Sequence, residues 1–408
     1  STDARLHLGA LERLRALWTE RLATLEGEEA RQGERLLRRL DDLPRRLLFQ
    51  SLIGARYTPQ GGAAQLGIAE SLLGPKEAWL PALQRFSHEE IPRLVVIPTW
   101  QCELRCNYCW IPKQDGRVMD RATMERSIDL LLASDRPAVQ LQFFGGEALL
   151  EWGLVQHAME YGAVQARARG KQLSFILSSN GWSLDEDKLA WLSRHPVRLE
   201  LSLDGDPQTQ RMFRPSRQVG EDSYATGIAP RVQAIQDSGI RHEVIMVVHP
   251  LHAHKLYDNF AHIADLGFRR IQINFTLGRL WSTAQQQAFA QNLHRVGQEL
   301  RRRQQAGEPL VLVNLENRPM PMRLNGEVTV DWDGTIYAGN AFLHETEHKD
   351  RFRVGHLDDR GGFDRYWMDG PSNDFLLQYS YPPDITANNL KTGAILTSFL
   401  RYMYEAPT

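Results

Sequence analysis

Segments with the patterns of strands and of helices alternate along this chain from about residue 92. Six short runs rich in β-branched and apolar residues are separated by longer runs with helical periodicity, which predicts a parallel sheet with helical crossovers. The predicted strands span 93–99, 138–144, 173–179, 197–204, 242–248 and 270–276. The predicted helices span 120–133, 151–169, 184–194, 255–266 and 283–304. Six such units predict an α/β fold, a partial (β/α)6 barrel of the TIM type.

Three of the predicted strands alternate polar with apolar side chains. The polar positions are Gln140 and Gln142, then Glu200, Ser202 and Asp204, then Gln272 and Asn274. Because helices must cover the outside of such a sheet, we expect the apolar set to face outwards and the polar set inwards. A polar interior predicts an open barrel that admits a polar ligand. The alternative is that some of these residues are solvated at an uncovered edge of the sheet.

Three regions follow from the patterns along the chain. Residues 1–88 have leucines near helical spacing and predict a helical N-terminal region. This region is either a cap on the domain that follows or a docking module for a partner peptide. Residues 89–305 form the predicted barrel, and 306–408 form a C-terminal extension.

Composition limits the possible partners and the compartment. The chain has 408 residues, 42% of them apolar and 24% charged, which is typical of globular proteins. We expect no membrane contact, because no apolar run reaches about 18 residues. A formal net charge of −2 argues against binding to nucleic acid. Free thiols and the lack of a signal-peptide pattern favour the cytoplasm.

All three cysteines lie within eight residues, in the stretch Cys102-Glu-Leu-Arg-Cys106-Asn-Tyr-Cys109. This stretch follows the first predicted strand, and loops at the carboxyl ends of barrel strands build active sites. Three thiolates at this spacing can hold three irons of a 4Fe-4S cubane and leave the fourth iron open to a small molecule. Zinc binding and a group of reactive thiols remain as alternatives, whereas three cysteines cannot all form disulfides.

The CxxxCxxC spacing, with the aromatic Tyr108 before the last cysteine, resembles the signature of the radical S-adenosylmethionine (radical SAM) enzymes. The resemblance implies one 4Fe-4S cluster on Cys102, Cys106 and Cys109, with S-adenosylmethionine chelating the open iron. One electron then cleaves this cosubstrate to a 5′-deoxyadenosyl radical, and the protein binds, aims and shields that radical. It also implies an external reductant such as flavodoxin or ferredoxin.

Gly145-Gly146-Glu147 ends the second predicted strand and resembles the GGE motif of the same superfamily. In that motif a tight glycine turn presents backbone carbonyls and a carboxylate to the ammonium group of the cosubstrate. The proline that usually follows is Ala148 here.

Four further residues match cosubstrate-binding positions of the superfamily. The resemblance implies that Asn180 binds the ribose hydroxyls, although an Asn-Gly pair also forms turns. It implies that Ser202 and Arg214 hold the cosubstrate carboxylate, with the arginine acting as a bidentate fork. Tyr108 is expected against the adenine. Asp204 is expected to order the loop that follows it.

The C-terminal extension begins with a predicted hairpin that turns at Asp333-Gly334. It resembles the start of the SPASM or twitch extension of peptide-modifying radical SAM enzymes, which surrounds auxiliary clusters. The position expected to be cysteine is Gly339, and Asn340 replaces the Asp base of the sulfatase-maturing members. Residues 340–408 contain no cysteine, so the extension is cysteine-free. Tyr337 and Asn340 are the candidate catalytic residues.

The resemblance to the peptide-modifying radical SAM enzymes implies an oxidoreductase that abstracts hydrogen from a carbon of a ribosomally synthesised peptide, in natural-product maturation. The alternatives are an enzyme that acts on a small metabolite, such as a sugar, nucleoside or amino acid, and a non-catalytic iron–sulfur partner protein. One cluster uses every cysteine, so epimerisation with a thiol donor is not expected. Gly339 and Asn340 disfavour sulfatase-type oxidation. A redox-neutral rearrangement, an intramolecular bond formation or quenching by Tyr337 remains open.

Overall fold

The computed structural model describes Glu20 and residues 93–109, 111–112, 116–134, 136–316, 328–338, 353–358 and 383–405. The chain divides into two compact units, one formed by 1–88 with 365–375 and the other by 89–364 with 376–408. Apart from Glu20, the described residues belong to the second unit. The helical region predicted for 1–88 therefore lies outside the described residues, as does Asn340.

Ten strands of the described residues form one sheet, in the order β10-β9-β8-β1-β2-β3-β4-β5-β6-β7. Strands β1 to β7 are parallel, β8 is parallel to β1, and β9 and β10 continue the sheet antiparallel. The strands are β1 Arg93–Val96, β2 Ala138–Phe143, β3 Gln172–Ser179, β4 Val197–Ser202, β5 Arg241–Val248, β6 Arg270–Phe275, β7 Val311–Leu312, β8 Val328–Val330, β9 Thr335–Ala338 and β10 Arg353–His356.

Helices connect the parallel strands, and the last helix comes after the final strand in the sequence. They are α1 Arg121–Leu132, α2 Trp152–Ala168, α3 Glu186–Leu192, α4 Pro207–Phe213, α5 Val232–Asp237, α6 Leu256–Asp265, α7 Thr283–Gln305 and α8 Pro383–Glu405. Short helical turns cover Ala148–Glu151, Ser223–Ile228, Ala229–Arg231, Pro250–Lys255 and Val313–Leu315. Within the described ranges, none of the helices combines the length and the apolar character that a membrane crossing requires.

The six strands and five helices predicted for the barrel are confirmed, with ends that differ by a few residues. The predicted first strand ends early, at Val96, because the nearby Pro98 has no N–H for the ladder. Strands β7 and β10 are the two edges of the sheet in the described part of the chain, so the fold is the expected partial barrel. The patterns did not predict α4, α5 and α8.

The helices cover the apolar face of the sheet, as the alternation of side chains predicts. Gly162 of α2 lies against Leu173 and Phe175 of β3, so close that a Cβ atom at Gly162 would be 2.7 Å from Leu173 Cδ2. The polar set points to the opposite, inner face. There Gln142 of β2 donates hydrogen bonds to Ser178 of β3 and Glu200 of β4.

An ionic network lies on the inner face near the amino ends of β4 to β6. Arg270 forms a bidentate pair with Glu316, at 2.6 and 2.7 Å, and also contacts Glu243 at 3.3 Å. Arg198 lies 3.5 Å from the same Glu243, whose side chain is only 2% exposed. A carboxylate buried this deeply needs both cations, so the network specifies how these strands are aligned.

The hairpin predicted at Asp333-Gly334 is confirmed. Strands β8 and β9 pair antiparallel, and Gly334 has the left-handed φ of +87° that such a turn requires. The indole N–H of Trp100 donates to the buried Asp331 carboxylate at 2.7 Å. This bond ties the hairpin to the chain that follows β1.

We predict different effects of two glycine substitutions in α2 on thermal stability. Gly153→Ala should raise the thermal midpoint slightly, because the new methyl group has open space and alanine favours a helix by about 0.5 kcal/mol in the first turn. Gly162→Ala should lower the midpoint relative to Gly153→Ala, because it crowds Leu173, and overpacking costs about 1–3 kcal/mol. Calorimetry of both variants tests this, and equal midpoints would contradict the packing.

Candidate functional site at the cysteine loop

The cysteine loop follows β1 and is held by backbone hydrogen bonds to residues 213–217. The Arg105 N–H donates to the Pro215 carbonyl and the Asn107 N–H to the Phe213 carbonyl, both at 2.9 Å. In the other direction, the Arg217 N–H donates to the Glu103 carbonyl at 2.7 Å. This ladder fixes the path of the loop, so the positions of its cysteines depend on the segment that follows α4.

The donors around the sulfur atoms suit thiolates. Cys102 is buried, and its Sγ accepts hydrogen bonds from the Leu104 N–H at 3.4 Å and from Asn180 Nδ2 at 3.6 Å. Nη1 of Arg214 lies 4.0 Å from the Sγ of Cys106. N–H donors and a guanidinium favour the charged sulfur that ligates iron.

The three thiols fit a 4Fe-4S cluster by their chemistry and their surroundings. In the part of the chain that the structure describes, no three His, Cys, Asp or Glu side chains are grouped to hold a single metal ion. A cubane makes a different demand, because each of its thiolates binds a separate iron. Cys102, Cys106 and Cys109 are the residues that would hold it.

Gly145 and Gly146 allow the turn after β2 to pack on the cysteine loop. Gly145 has a φ of +118°, in the region that favours glycine. A Cβ atom on Gly146 would lie 2.0 Å from the Gln101 carbonyl oxygen, a distance that no side chain tolerates. The Glu147 N–H donates to that same oxygen at 2.7 Å. The glycines therefore set the contact between β2 and the loop.

Glu147 is buried, with 1% of its surface exposed. Its carboxylate accepts hydrogen bonds from the Ser179 hydroxyl at 2.9 Å, the Asn180 N–H at 2.8 Å and the Leu149 N–H at 3.2 Å. Burial and the nearby Glu103 carboxylate nevertheless raise the pKa of Glu147 from 4.5 to about 7. A cation beside Glu147 would favour its charged form.

Asn180 connects the two carboxylates to the cysteine loop. Its backbone N–H binds Glu147, while its Nδ2 donates to Glu103 at 3.1 Å and approaches Cys102 Sγ. Glu103 also accepts a hydrogen bond from the Ser183 hydroxyl. Glu103 was not among the predicted site residues, although its position inside the cysteine motif was a signal that could have identified it.

Arg214 and Asp204 form a buried ion pair beside the loop. Nε and Nη2 of Arg214 contact the two carboxylate oxygens of Asp204, each at 3.0 Å. The Tyr108 hydroxyl donates to the same carboxylate, and the guanidinium lies 5.3 Å from the centre of the Tyr108 ring. Burial raises the pKa of Tyr108 well above its usual value. Asp204 thus holds Arg214 and Tyr108, a role that the expectation of a loop-ordering residue missed.

Two of the remaining predicted site residues, Ser202 and Tyr337, lie on strands of the sheet. Ser202 is the last residue of β4 and is half-buried. Tyr337 of β9 is buried and pairs with Thr329 of β8, which in turn pairs with Val95 of β1. This register places Tyr337 on the same face of the sheet as Gln142, the partner of Val95 in β2.

His249 is a second residue near the loop that was not among the predicted site residues. It directly follows β5, a position typical of active-site residues, and its ring stacks on Phe213 with centroids 4.6 Å apart. Burial and the charge of Arg279 lower the pKa of His249 from 6.5 to about 4. Its Nδ1 accepts from the Leu251 N–H at 3.2 Å, so the neutral ring carries its proton on Nε2.

Residues 96–256 match the profile of the radical SAM superfamily. The chain contains a radical SAM domain. The match begins at the last residue of β1 and ends at the first residue of α6, so it includes the cysteine loop, the glycine turn and the Asp204–Arg214 pair.

Two curated proteins of unknown function are similar to part of this chain. They come from Methanothermobacter thermautotrophicus and Methanocaldococcus jannaschii, and each is 26% identical to this chain over 112 residues. The match covers 28% of this chain and 42% and 38% of the two proteins. The chain thus spans about two fifths of the length of the curated relatives it matches.

Solved structures share the fold of the radical SAM domain. Histidine-tagged anSMEcpe with bound AdoMet has a TM-score of 0.60 at 17% identity, over 70% of this chain and 83% of that chain. Native anSMEcpe with bound AdoMet and the Cp18Cys peptide has a TM-score of 0.59 at 17% identity, over 71% and 84%. These similarities show the fold.

We predict that Glu147 makes stability depend on pH. Because the folded state raises the pKa of Glu147 from 4.5 to about 7, its protonation stabilises the fold below the lower value, and this stabilisation is lost as pH rises through the upper one. Glu147→Gln cannot ionise, so its thermal midpoint relative to wild type should increase from about pH 5 to about pH 8. Glu160→Gln, an exposed change in α2, is the control. A difference that does not vary with pH would contradict the pKa assignment.

Proposed function

We propose that this chain is a radical SAM enzyme that abstracts a hydrogen atom from a carbon of a ribosomally made peptide. The observation that carries the proposal is the convergence of three groups of side chains beyond the carboxyl ends of β1 to β4. They are the three thiols, the buried Glu147 with the half-buried Glu103, and Arg214. An open iron with amino-acid-binding groups around it suits a cosubstrate with a methionyl end. A cluster with a purely structural role would not require carboxylates and a guanidinium around an open iron.

A 4Fe-4S cluster on the three cysteines supplies, when bound, the electron that cleaves S-adenosylmethionine. Glu147 and Glu103 would attract the ammonium group of this cosubstrate, because a cation relieves the repulsion between the two carboxylates. Nη1 of Arg214 would attract the carboxylate, since Nε and Nη2 are engaged by Asp204. In this proposal Asn180 binds the ribose of the cosubstrate and Ser202 binds its carboxylate. Tyr108 lies beside the adenine. Flavodoxin or ferredoxin delivers the electron to the cluster.

Two observations support a peptide as the substrate. A structure of anSMEcpe, which has the same fold, contains bound AdoMet and a peptide. The inner face of the sheet carries amide and hydroxyl side chains, including Gln142, Ser178 and Asn274, which suit the repeated polar groups of a peptide backbone. Tyr337 on the same face, and Asn340, which follows three residues later in the sequence, remain the candidates for a catalytic role.

We predict that the anaerobically reconstituted chain binds about four irons and forms 5′-deoxyadenosine from S-adenosylmethionine and dithionite. Cys106→Ala removes one iron ligand, so the product should fall to the level without protein. Iron analysis and chromatography measure both quantities, and circular dichroism checks the folding of the variant. Product from wild type no greater than from the folded Cys106→Ala variant would exclude the enzymatic function.

A separate prediction tests the role of Arg214. Arg214→Ala should weaken S-adenosylmethionine binding about tenfold or more, because it removes a charge-assisted contact worth roughly 1.5–3 kcal/mol. Arg211→Ala is the matched control, because Arg211 belongs to the same segment but pairs with Asp222 at the surface. Equilibrium dialysis with reconstituted protein gives both dissociation constants. Equal affinity of the two variants would place the cosubstrate carboxylate elsewhere.

A further inference from the structure

Gln142 has a fixed orientation on the inner face of the sheet. Its Nε2 donates to Ser178 Oγ at 3.0 Å and to Glu200 Oε2 at 3.1 Å. The Ser178 hydroxyl donates its own proton to Glu200 at 2.7 Å, so towards Gln142 it can only accept. An exchange of the amide nitrogen and oxygen would place oxygen against two acceptors. The carbonyl oxygen of Gln142 therefore points away from both partners.

That carbonyl oxygen, Oε1, is buried and receives no hydrogen bond from the residues that the structure describes. Gln142 as a whole is 6% exposed. Its neighbours in register are Val95 of β1 and Ile176 of β3, which are buried and apolar and offer no side-chain donor. A buried carbonyl without a donor is unfavourable, and native proteins rarely leave one.

The position of Gln142 is close to the site of the radical chemistry. It is the second-last residue of β2, and Gly145 follows three residues later. Its partner Ser178 lies two residues before Asn180, the residue that contacts Cys102 Sγ. Two residues of a strand span about 7 Å, so Gln142 lies in the layer of inner-face side chains directly below the cysteine loop.

The surroundings of Gln142 favour an uncharged donor. The carboxylate of Glu200, which Gln142 contacts, also accepts a hydrogen bond from Arg198 at 3.1 Å. The carboxylate that Gln142 contacts is thus already paired with a guanidinium, so a substrate ammonium would find no unpaired carboxylate there. A backbone N–H donates a single hydrogen bond without a charge, which is what Oε1 can accept.

We propose that Gln142 Oε1 accepts a hydrogen bond from a backbone N–H of the peptide substrate, held below the cysteine loop. Gln142 is then a specificity residue that selects an amide N–H and fixes the depth of the peptide backbone in the barrel. The inference rests on the proposed function, in which the substrate is a peptide. It concerns the binding of the peptide and not the formation of the radical.

The test compares two probes that differ only in their N–H groups. The first is glycylglycine with an acetyl cap and a methylamide cap, and the second is the same molecule with every amide nitrogen methylated. Nuclear magnetic resonance titration of the anaerobically reconstituted full chain with S-adenosylmethionine gives their dissociation constants. Wild type should bind the first probe roughly five- to tenfold more tightly than the second.

Two variants separate the proposal from general effects of N-methylation. Gln142→Met should bind both probes equally, because the acceptor is lost at nearly constant volume. Gln140→Met should keep the wild-type preference, since Gln140 lies on the same face of β2, two residues further from the cysteine loop. Among the described residues its side chain bonds only Ser174. Thermal midpoints show that both variants are folded.

Three outcomes would overturn the inference: no binding of either probe, equal binding by wild type, or a preference that survives in Gln142→Met. These results are independent of the proposed radical function, which the formation of 5′-deoxyadenosine tests. A chain that forms 5′-deoxyadenosine without discriminating between the probes would retain the radical function and lose the role of Gln142. A chain that discriminates between the probes but forms no 5′-deoxyadenosine would retain the role of Gln142 and lose the radical function.

Discussion

The contact between the turn after β2 and the cysteine loop is the constraint on which the rest of the site depends. Because Gly146 has no side chain, its backbone reaches the carbonyl of Gln101, one residue before Cys102. The segments that contain Gln101 and Gly146 follow the neighbouring parallel strands β1 and β2, so the contact fixes where the cysteine loop leaves the sheet. The ladder to residues 213–217 fixes the other side of the loop, and the cysteines lie between two backbone supports.

Charged groups around the loop form two sets with different consequences. Asp204 and Arg214 neutralise each other in a buried pair, so they form a stable frame that also holds Tyr108. Glu103 and Glu147 carry the same charge, and their repulsion contributes to the raised pKa of Glu147. The first set orders the loop, whereas the second favours a cation. Such a division suits a cosubstrate that has both an ammonium and a carboxylate group.

Local patterns predicted the elements of the fold, while contacts between distant segments escaped them. Strand and helix periodicity located β1 to β6, and the Asp333-Gly334 pair located the hairpin, because each signal lies within a few residues. The parallel pairing of β8 with β1 depends on segments more than 200 residues apart. The approach of Glu103 to Glu147 and the pairing of Asp204 with Arg214 likewise depend on the packing of loops, which sequence periodicity does not encode.

The pairing of β8 with β1 also determines on which face of the sheet the C-terminal extension places Tyr337. Had the hairpin packed outside the helices, Tyr337 would lie far from the inner face. The register instead aligns Tyr337 with Thr329, Val95 and Gln142 across four neighbouring strands. Neighbouring strands are about 4.8 Å apart, so the backbones at Tyr337 and Gln142 are separated by roughly 15 Å along this curved face. The extension therefore continues the surface that carries Gln142, and a peptide lying across β1 would contact both segments.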